Sequence, residues 1–259
     1  MTDVVHFEEL LAGAVFTGAR VSGLMVFCPF LGSNAIPIPL KAGLTLLLTI
    51  LLHPLHGPVA LAMGSWQWAG IALGEVAVGL LLGLVTNFLF ESVLMAGQIL
   101  GVQIGYSLAN VFDPQTQADT PVLSEFHRLG ALLIFLQLDV HHWMLRALVR
   151  SFAYLPAGAA SVTLAVTGGL FHAAGGIFLA GVQIAAPSLV ATLVADMALG
   201  FLGKASPQLP VLFIGLAVKN LVGLAVLIAA IAYWPRVFGQ QFAQAIRMAE
   251  HLLHLARAG

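Results

Sequence analysis

The sequence predicts an all-α integral membrane protein of about six apolar helical segments, several of them broken. Three observations carry this. Only 8% of the 259 residues are charged while 60% are hydrophobic, against about 25% charged in an ordinary soluble domain. Charges this few cannot cover a water-facing surface, and the mean hydropathy is +0.99. Long stretches carry no Asp, Glu, Lys or Arg at all, between Lys41 and Glu75 and again from Ser151 to Ala195. Glycines also recur four apart, as Gly70/Gly74, Gly79/Gly83 and Gly97/Gly101/Gly105. That spacing lets helix backbones approach closely in lipid, where association depends on packing rather than on the hydrophobic effect.

The net charge of −1, with no basic patch, gives no sign of nucleic-acid binding. Cys28 is the single cysteine, so no intrachain disulfide framework exists.

Taken in order, the first apolar segment runs from Leu10 to Leu31 and is interrupted by Arg20. Pro29 to Lys41 holds three prolines, a glycine, a serine and an asparagine and reads as a loop. Ala42 to Leu52 resumes the apolar run until His53-Pro54 and Gly57-Pro58 break it. Ala69 to Phe90 reads as one helix and the stretch bearing Gly97, Gly101 and Gly105 as the next. The glycine face at Gly70, Gly74, Gly79, Gly83, Gly97 and Gly101 is expected to pack against neighbouring helices.

The segment from Gly105 to Pro121 is unlike the rest. From Asp113 to Thr120 every residue but Ala118 is polar or proline. Such a loop cannot lie in hydrocarbon, because each unsatisfied backbone group costs several kcal/mol there. Its seventeen residues can extend on the order of 55 Å.

Val122 to Arg150 has an apolar core of only ten residues, Leu129 to Leu138, too few to span a bilayer unaided. Gly168-Gly169 and Gly175-Gly176 punctuate the long charge-free stretch. Gly175 to Leu202 and Pro210 to Trp234 then form two spanning helices around the turn Gly203 to Pro210, a hairpin. From Pro235 to Gly259, Phe238, Phe242, Ile246, Ala249, Leu252, Leu253 and Ala256 recur at three- and four-residue spacing with charges between them. That is an amphipathic helix, expected at a membrane surface or against a partner.

Chemistry is sparse. Asp139, His141 and His142 cluster, and His53/His56 and His251/His254 have HxxH spacing. HxxH pairs lack the third ligand that zinc needs, and adjacent histidines on a helix point about 100° apart. No metal or cofactor is expected. No GxSxG, HExxH, phosphate loop or dinucleotide fingerprint occurs, so no catalytic residue is assigned. The ionisable residues inside apolar segments are Arg20, Glu75, Glu91, Asp196 and Lys219, single and dispersed. Asp196 and Lys219 lie on the two arms of the hairpin; the sequence leaves open whether they meet or each faces a partner or an aqueous lumen.

Several stretches together resemble the FliR family of flagellar type III export-gate proteins, whose virulence-system relatives are called SctT. They are Ala19-Arg20-Val21-Ser22-Gly23, Cys28-Pro29-Phe30-Leu31-Gly32 with Ile36-Pro37, Glu75 to Gly83, Ala96-Gly97-Gln98 with Gly101, Gln103 and Gly105, Phe112-Asp113-Pro114 and Pro121-Val122-Leu123. His141-His142, Ser151-Phe152, Leu155-Pro156, Asp196, Leu199-Gly200, Pro207-Gln208 and Lys219 follow in order. Asp139-Val140 departs from the family, which more often has glycine there. Gln103-Ile104-Gly105-Tyr106, without the acidic residue and Arg-Gly pair of the virulence branch, favours the flagellar branch.

The resemblance implies a non-catalytic pore subunit of the bacterial inner membrane, at the flagellar basal body, assembled with FliP and FliQ homologues beside FlhB and FlhA. Unfolded flagellar proteins would pass through it. Residues 1–174 would be a FliP-like portion, 175–234 a FliQ-like hairpin and 235–259 the amphipathic helix. Gly105, Tyr106, Ser107, Asn110, Phe112, Asp113, Pro114 and Pro121 would belong to a loop plugging the lumen, with Phe112 as apolar stopper. Lys204, Pro207, Gln208, Asp196 and Lys219 would form the hairpin's turn and partner contacts. The alternatives are a self-contained small-molecule transporter, a virulence gate subunit, or a factor present only during assembly.

Overall fold

The computed structural model describes residues 2–29, 31–32, 36–55, 65–105, 122–156, 158–160, 164–206, 208 and 210–257. The regular elements are helical. They are α1 (Thr2–Phe27), α2 (Ile38–Leu52, followed by a 3-10 turn His53–Leu55), α3 (Ser65–Ile104), α4 (Val122–Gln137), α5 (Val140–Tyr154), α6 (Leu164–Ala205), α7 (Val211–Ile231) and α8 (Trp234–Arg257). Among the described residues four helices are long and apolar enough to cross a membrane, at Leu10–Phe27, Trp66–Ile104, Val166–Ala205 and Phe213–Ile231. The pair α4–α5, bent by 65°, makes a fifth candidate. The six apolar segments expected therefore reduce to four or five crossings, because separately read segments fuse and α2 is only 15 residues long.

The chain forms two compact units with interleaved sequence, 1–88 with 139–174 and 241–259, and 89–138 with 175–240.

In the first unit α1, α2 and α3 pack together. α2 begins at Ile38, inside the stretch expected to be loop. Proline is tolerated in the first helical turn, where its missing N–H has no intrahelical partner anyway. Phe16 stacks on Trp68 with centroids 4.9 Å apart, and Ala12 joins that cluster. The closest approach is glycine on glycine. A Cβ on Gly79 would collide with the Arg20 carbonyl, and one on Gly23 with the Val76 carbonyl and, at 2.9 Å, the Leu80 nitrogen. A Cβ on Gly83 would lie 2.8 Å from the Leu24 carbonyl, and one on Gly74 3.6 Å from the Ala160 Cβ. Gly70 is the exception: among the described residues nothing lies within 4 Å of where its Cβ would stand.

Where two helices were expected, α3 is a single 40-residue helix. Nothing between Phe90 and Gly97 breaks it: Glu91-Ser92-Val93-Leu94-Met95-Ala96 contains neither proline nor glycine. α6 likewise runs for 42 residues through Gly168-Gly169, Gly175-Gly176 and Pro187. Glycine costs about 1 kcal/mol against alanine in a water-exposed helix. In an apolar setting the backbone has no water to bond with instead, so the helix continues.

At the α4–α5 bend, Asp139 adopts the left-handed conformation, φ 54° and ψ 31°. That state costs a residue with a Cβ about 1–2 kcal/mol and is the reason glycine suits such a corner. The amphipathic face of α8 is as expected, but it is not left for a membrane surface. Phe242, Ala249, Leu252, Leu253 and Ala256 are buried. Within the first unit Leu252 fills the space beside Gly169, His254 lies 4.3 Å from the Tyr154 ring, and Arg150 reaches Glu250 at 3.4 Å.

Candidate functional site

The second unit is built around the C-terminal half of α3, the part that leads into the polar segment. α3 ends at Gly105, whose φ of 94° and N–H bond to the Val102 carbonyl (3.1 Å) close the last turn. A left-handed glycine just past the last helical residue lets the chain leave the helix axis sharply. The expected plug residues Tyr106, Ser107, Asn110, Phe112, Asp113, Pro114 and Pro121 lie outside the described residues, as does Pro207.

The chain returns at Val122, and its return is fixed. α4 begins directly on α3, with Gly97 against the backbone of Leu123 and Ser124; a Cβ there would collide with the Ser124 Cα and lie 2.7 Å from its nitrogen. Gly101, one turn on, is buried as well. The first turn of α4 is steadied by His127, whose Nδ1 bonds the Leu123 carbonyl at 2.7 Å and whose ring lies 5.1 Å from Trp234. Gly130 accommodates the same indole, a Cβ there falling 2.5 Å from Trp234 Cζ3. His127, which reads from sequence as part of a charged turn, is in fact fully buried. The charges of that turn are carried by the exposed pair Arg128–Glu125.

The hairpin of α6 and α7 holds the other side of the α3 terminus. Gly181 faces the Ser92 carbonyl, with a Cβ falling 2.9 Å away, and Gly223 faces Ile104, 2.7 Å from two of its side-chain carbons. Between these lies a polar cluster. Lys219 Nζ is 3.0 Å from Asp196 Oδ2, and Gln103 Nε2 donates to the same oxygen at 3.2 Å. Asp196 and Lys219 therefore meet, and they also take hold of the residue two before Gly105. The pair is only partly enclosed: the Asp196 side chain is 40% exposed and that of Lys219 22%. On a span of this hydropathy, a half-open ion pair belongs against protein or water rather than lipid tails. At the hairpin turn Lys204 and Gln208 are exposed. Lys204 sits in the last turn of α6, where a cation suits the helix dipole.

The first unit holds a second polar constellation that sequence reasoning missed. Arg20 and Glu75 are not dispersed single charges. Arg20 Nε donates to Glu75 Oε2 at 2.6 Å, Nη1 to Ser151 Oγ at 3.0 Å and Nη2 to the Leu155 carbonyl at 2.8 Å. The guanidinium also lies 4.3 Å above the Phe152 ring. Both ionic side chains are fully buried. A signal was available: Gly23 follows Arg20 by three residues and Gly79 follows Glu75 by four, so a glycine crossing of the two helices brings the opposite charges together.

Both constellations are built from ion pairs and the hydrogen bonds around them. Three anchors converge on the two ends of segment 105–121: the Gly97–Ser124 crossing, the His127–Trp234 support and the hairpin's Gln103–Asp196–Lys219 cluster.

Comparison with known proteins gives these features a context. Residues 11–245 match the family described as bacterial export proteins, family 1. A flagellar biosynthetic protein FliR of Escherichia coli is 31% identical over 210 residues, covering 81% of this chain and 80% of its own. That of Pectobacterium carotovorum is 31% identical over 212 residues, covering 80% of each. The Bacillus subtilis protein of the same name is 29% identical over 251 residues, 95% of this chain and 96% of its own.

Proposed function

This chain belongs to the bacterial export proteins, family 1, and on that premise we propose that it is a subunit of the flagellar type III protein export gate. In this reading it sits in the inner membrane at the flagellar basal body. It assembles with FliP and FliQ homologues, beside FlhB and FlhA, around a passage for unfolded flagellar proteins. The family match, the relatives' shared name and the four or five apolar crossings support it. Residues 1–174 act as a FliP-like portion, 175–234 as a FliQ-like hairpin and 235–259 as the closing amphipathic helix.

Within the gate, residues 105–121 plug the lumen. The observation that carries this role is the anchoring of both flanks: the α3 terminus is gripped by the hairpin at Gln103 and Ile104, and the α4 start is seated on Gly97. A segment that must obstruct a passage and yield to cargo needs fixed ends and a free middle. The protein supplies no catalysis; positioning and obstruction are its contributions. Against a self-contained transporter stands the Asp196–Lys219 pair, whose opposite charges are engaged with each other.

Deletion of Tyr106 to Thr120 in cells carrying the full gate is expected to raise ion leak across the membrane while assembly persists. Unchanged leak in an assembled gate removes the plug role. Affinity purification is expected to bring two small membrane proteins with the chain; elution alone would favour the transporter.

A further inference from the structure

At the α4–α5 corner the carboxylate of Asp139 and the imidazoles of His141 and His142 come together. In the middle of a helix, adjacent imidazoles diverge by about 100°. Here they stand in the first turn of α5, directly after a left-handed residue, and their ring centroids are 4.2 Å apart. Asp139 Oδ1 lies 3.3 Å from His142 Nδ1 and 3.9 Å from His141 Nε2. One ligand atom from each residue lies within 4.8 Å of the other two.

Two further facts distinguish this corner from a chance surface cluster. Asp139 occupies the N-cap position of α5, where a carboxylate ordinarily accepts an N–H of the first turn, yet its side chain makes no capping bond and is directed at the imidazoles instead. It also holds a left-handed backbone that disfavours any residue with a Cβ, so its side chain needs a compensating interaction. An imidazole pair and one carboxylate form a donor set for a borderline divalent ion. Tetrahedral zinc, with bonds of about 2.0–2.1 Å, places neighbouring ligand atoms about 3.3 Å apart. The Asp139–His142 distance already matches, and His141 needs a small side-chain rotation.

We propose that Asp139, His141 and His142 form a three-ligand site for a divalent transition-metal ion of the zinc type, with its remaining coordination position open to water or to a partner's side chain. The ion ties Asp139, at the N-cap of α5, to the first turn of that helix.

The test uses the full-length chain extracted in detergent with its accompanying subunits, stripped with EDTA and titrated with zinc chloride, alongside Asp139→Gly, His141→Gln and His142→Gln. The wild type is expected to take up one equivalent of zinc more tightly than each variant by tenfold or more. It should also show a zinc-dependent rise in melting temperature that the variants lack. Asp139→Gly relieves the left-handed strain, so its metal-free melting temperature should hold or rise, which separates loss of the ligand from loss of the fold. Cobalt(II) should give a visible absorption band in the wild type alone. Equal zinc uptake by wild type and variants, or no saturable uptake by the wild type, overturns the site.

Discussion

Two ion pairs built from similar parts behave as opposites in this molecule. Arg20–Glu75 is sealed: neither side chain touches solvent, the guanidinium donates to three separate acceptors, and a ring covers its face. Asp196–Lys219 is half-open and has one further partner, Gln103. A buried charge pair is tolerated only when geometry and extra hydrogen bonds offset desolvation, and removing one member leaves the other stranded. The sealed pair is therefore a clamp enclosed wholly inside the chain, with Glu75 Oε2 on the guanidinium and Glu75 Oε1 buried without a hydrogen-bond partner. The open pair keeps part of its surface accessible. The difference separates a pair enclosed by its own chain from one that its own chain leaves partly uncovered.

The largest expected effect comes from Arg20→Ala, which strands Glu75. The chain should lose about 3–5 kcal/mol, seen as a sharp fall in membrane-inserted protein and melting temperature in detergent. The apolar double change Arg20→Met/Glu75→Leu should recover most of it, because charge burial and partner loss vanish together. Failure of that recovery would mean the pair specifies the fold rather than merely tolerating it. Gly79→Ala comes next. Its Cβ would collide with the Arg20 carbonyl and lie 2.8 Å from the Leu24 nitrogen, both backbone. Overpacking of this kind costs about 1–3 kcal/mol, partly offset by alanine's better helix propensity, and a melting curve reads it. Smallest is Asp196→Asn. For the isolated chain the change should amount to about 0–1 kcal/mol, yet co-purification with gate partners should drop, and Lys219→Gln should mimic it. A large stability loss without any change in association would erase the contrast between the two pairs.

These two pairs also mark what could be read in advance. Asp196 and Lys219 sit at similar distances from a turn rich in glycine and proline, so hairpin geometry alone makes their meeting an option. Arg20 and Glu75 are 55 residues apart with a loop, a short helix and a proline-rich break between them, and no local rule links them. The helical class and the face of α8 were legible because periodicity is a local property. The continuity of α3 and α6 was not, since glycine and proline weaken a helix without ending it when no water competes for the backbone. The burial of His127 was hidden for a related reason: its charged neighbours Glu125 and Arg128 point outward on another side of the same turn. The left-handed state of Asp139 was invisible, because an aspartate in sequence does not reveal its φ.

The length of α3 bears on the fate of the chain in a cell. Forty helical residues make a rod of about 60 Å. Even at a tilt of about 40°, near the upper end seen for membrane helices, it reaches about 46 Å along the membrane normal, well beyond a hydrocarbon layer of about 30 Å. Apolar flank that leaves the lipid has to be covered by other protein or stand in water. Persistence of the molecule is then linked by mass action to whatever covers that flank: binding to the folded chain alone raises its stability.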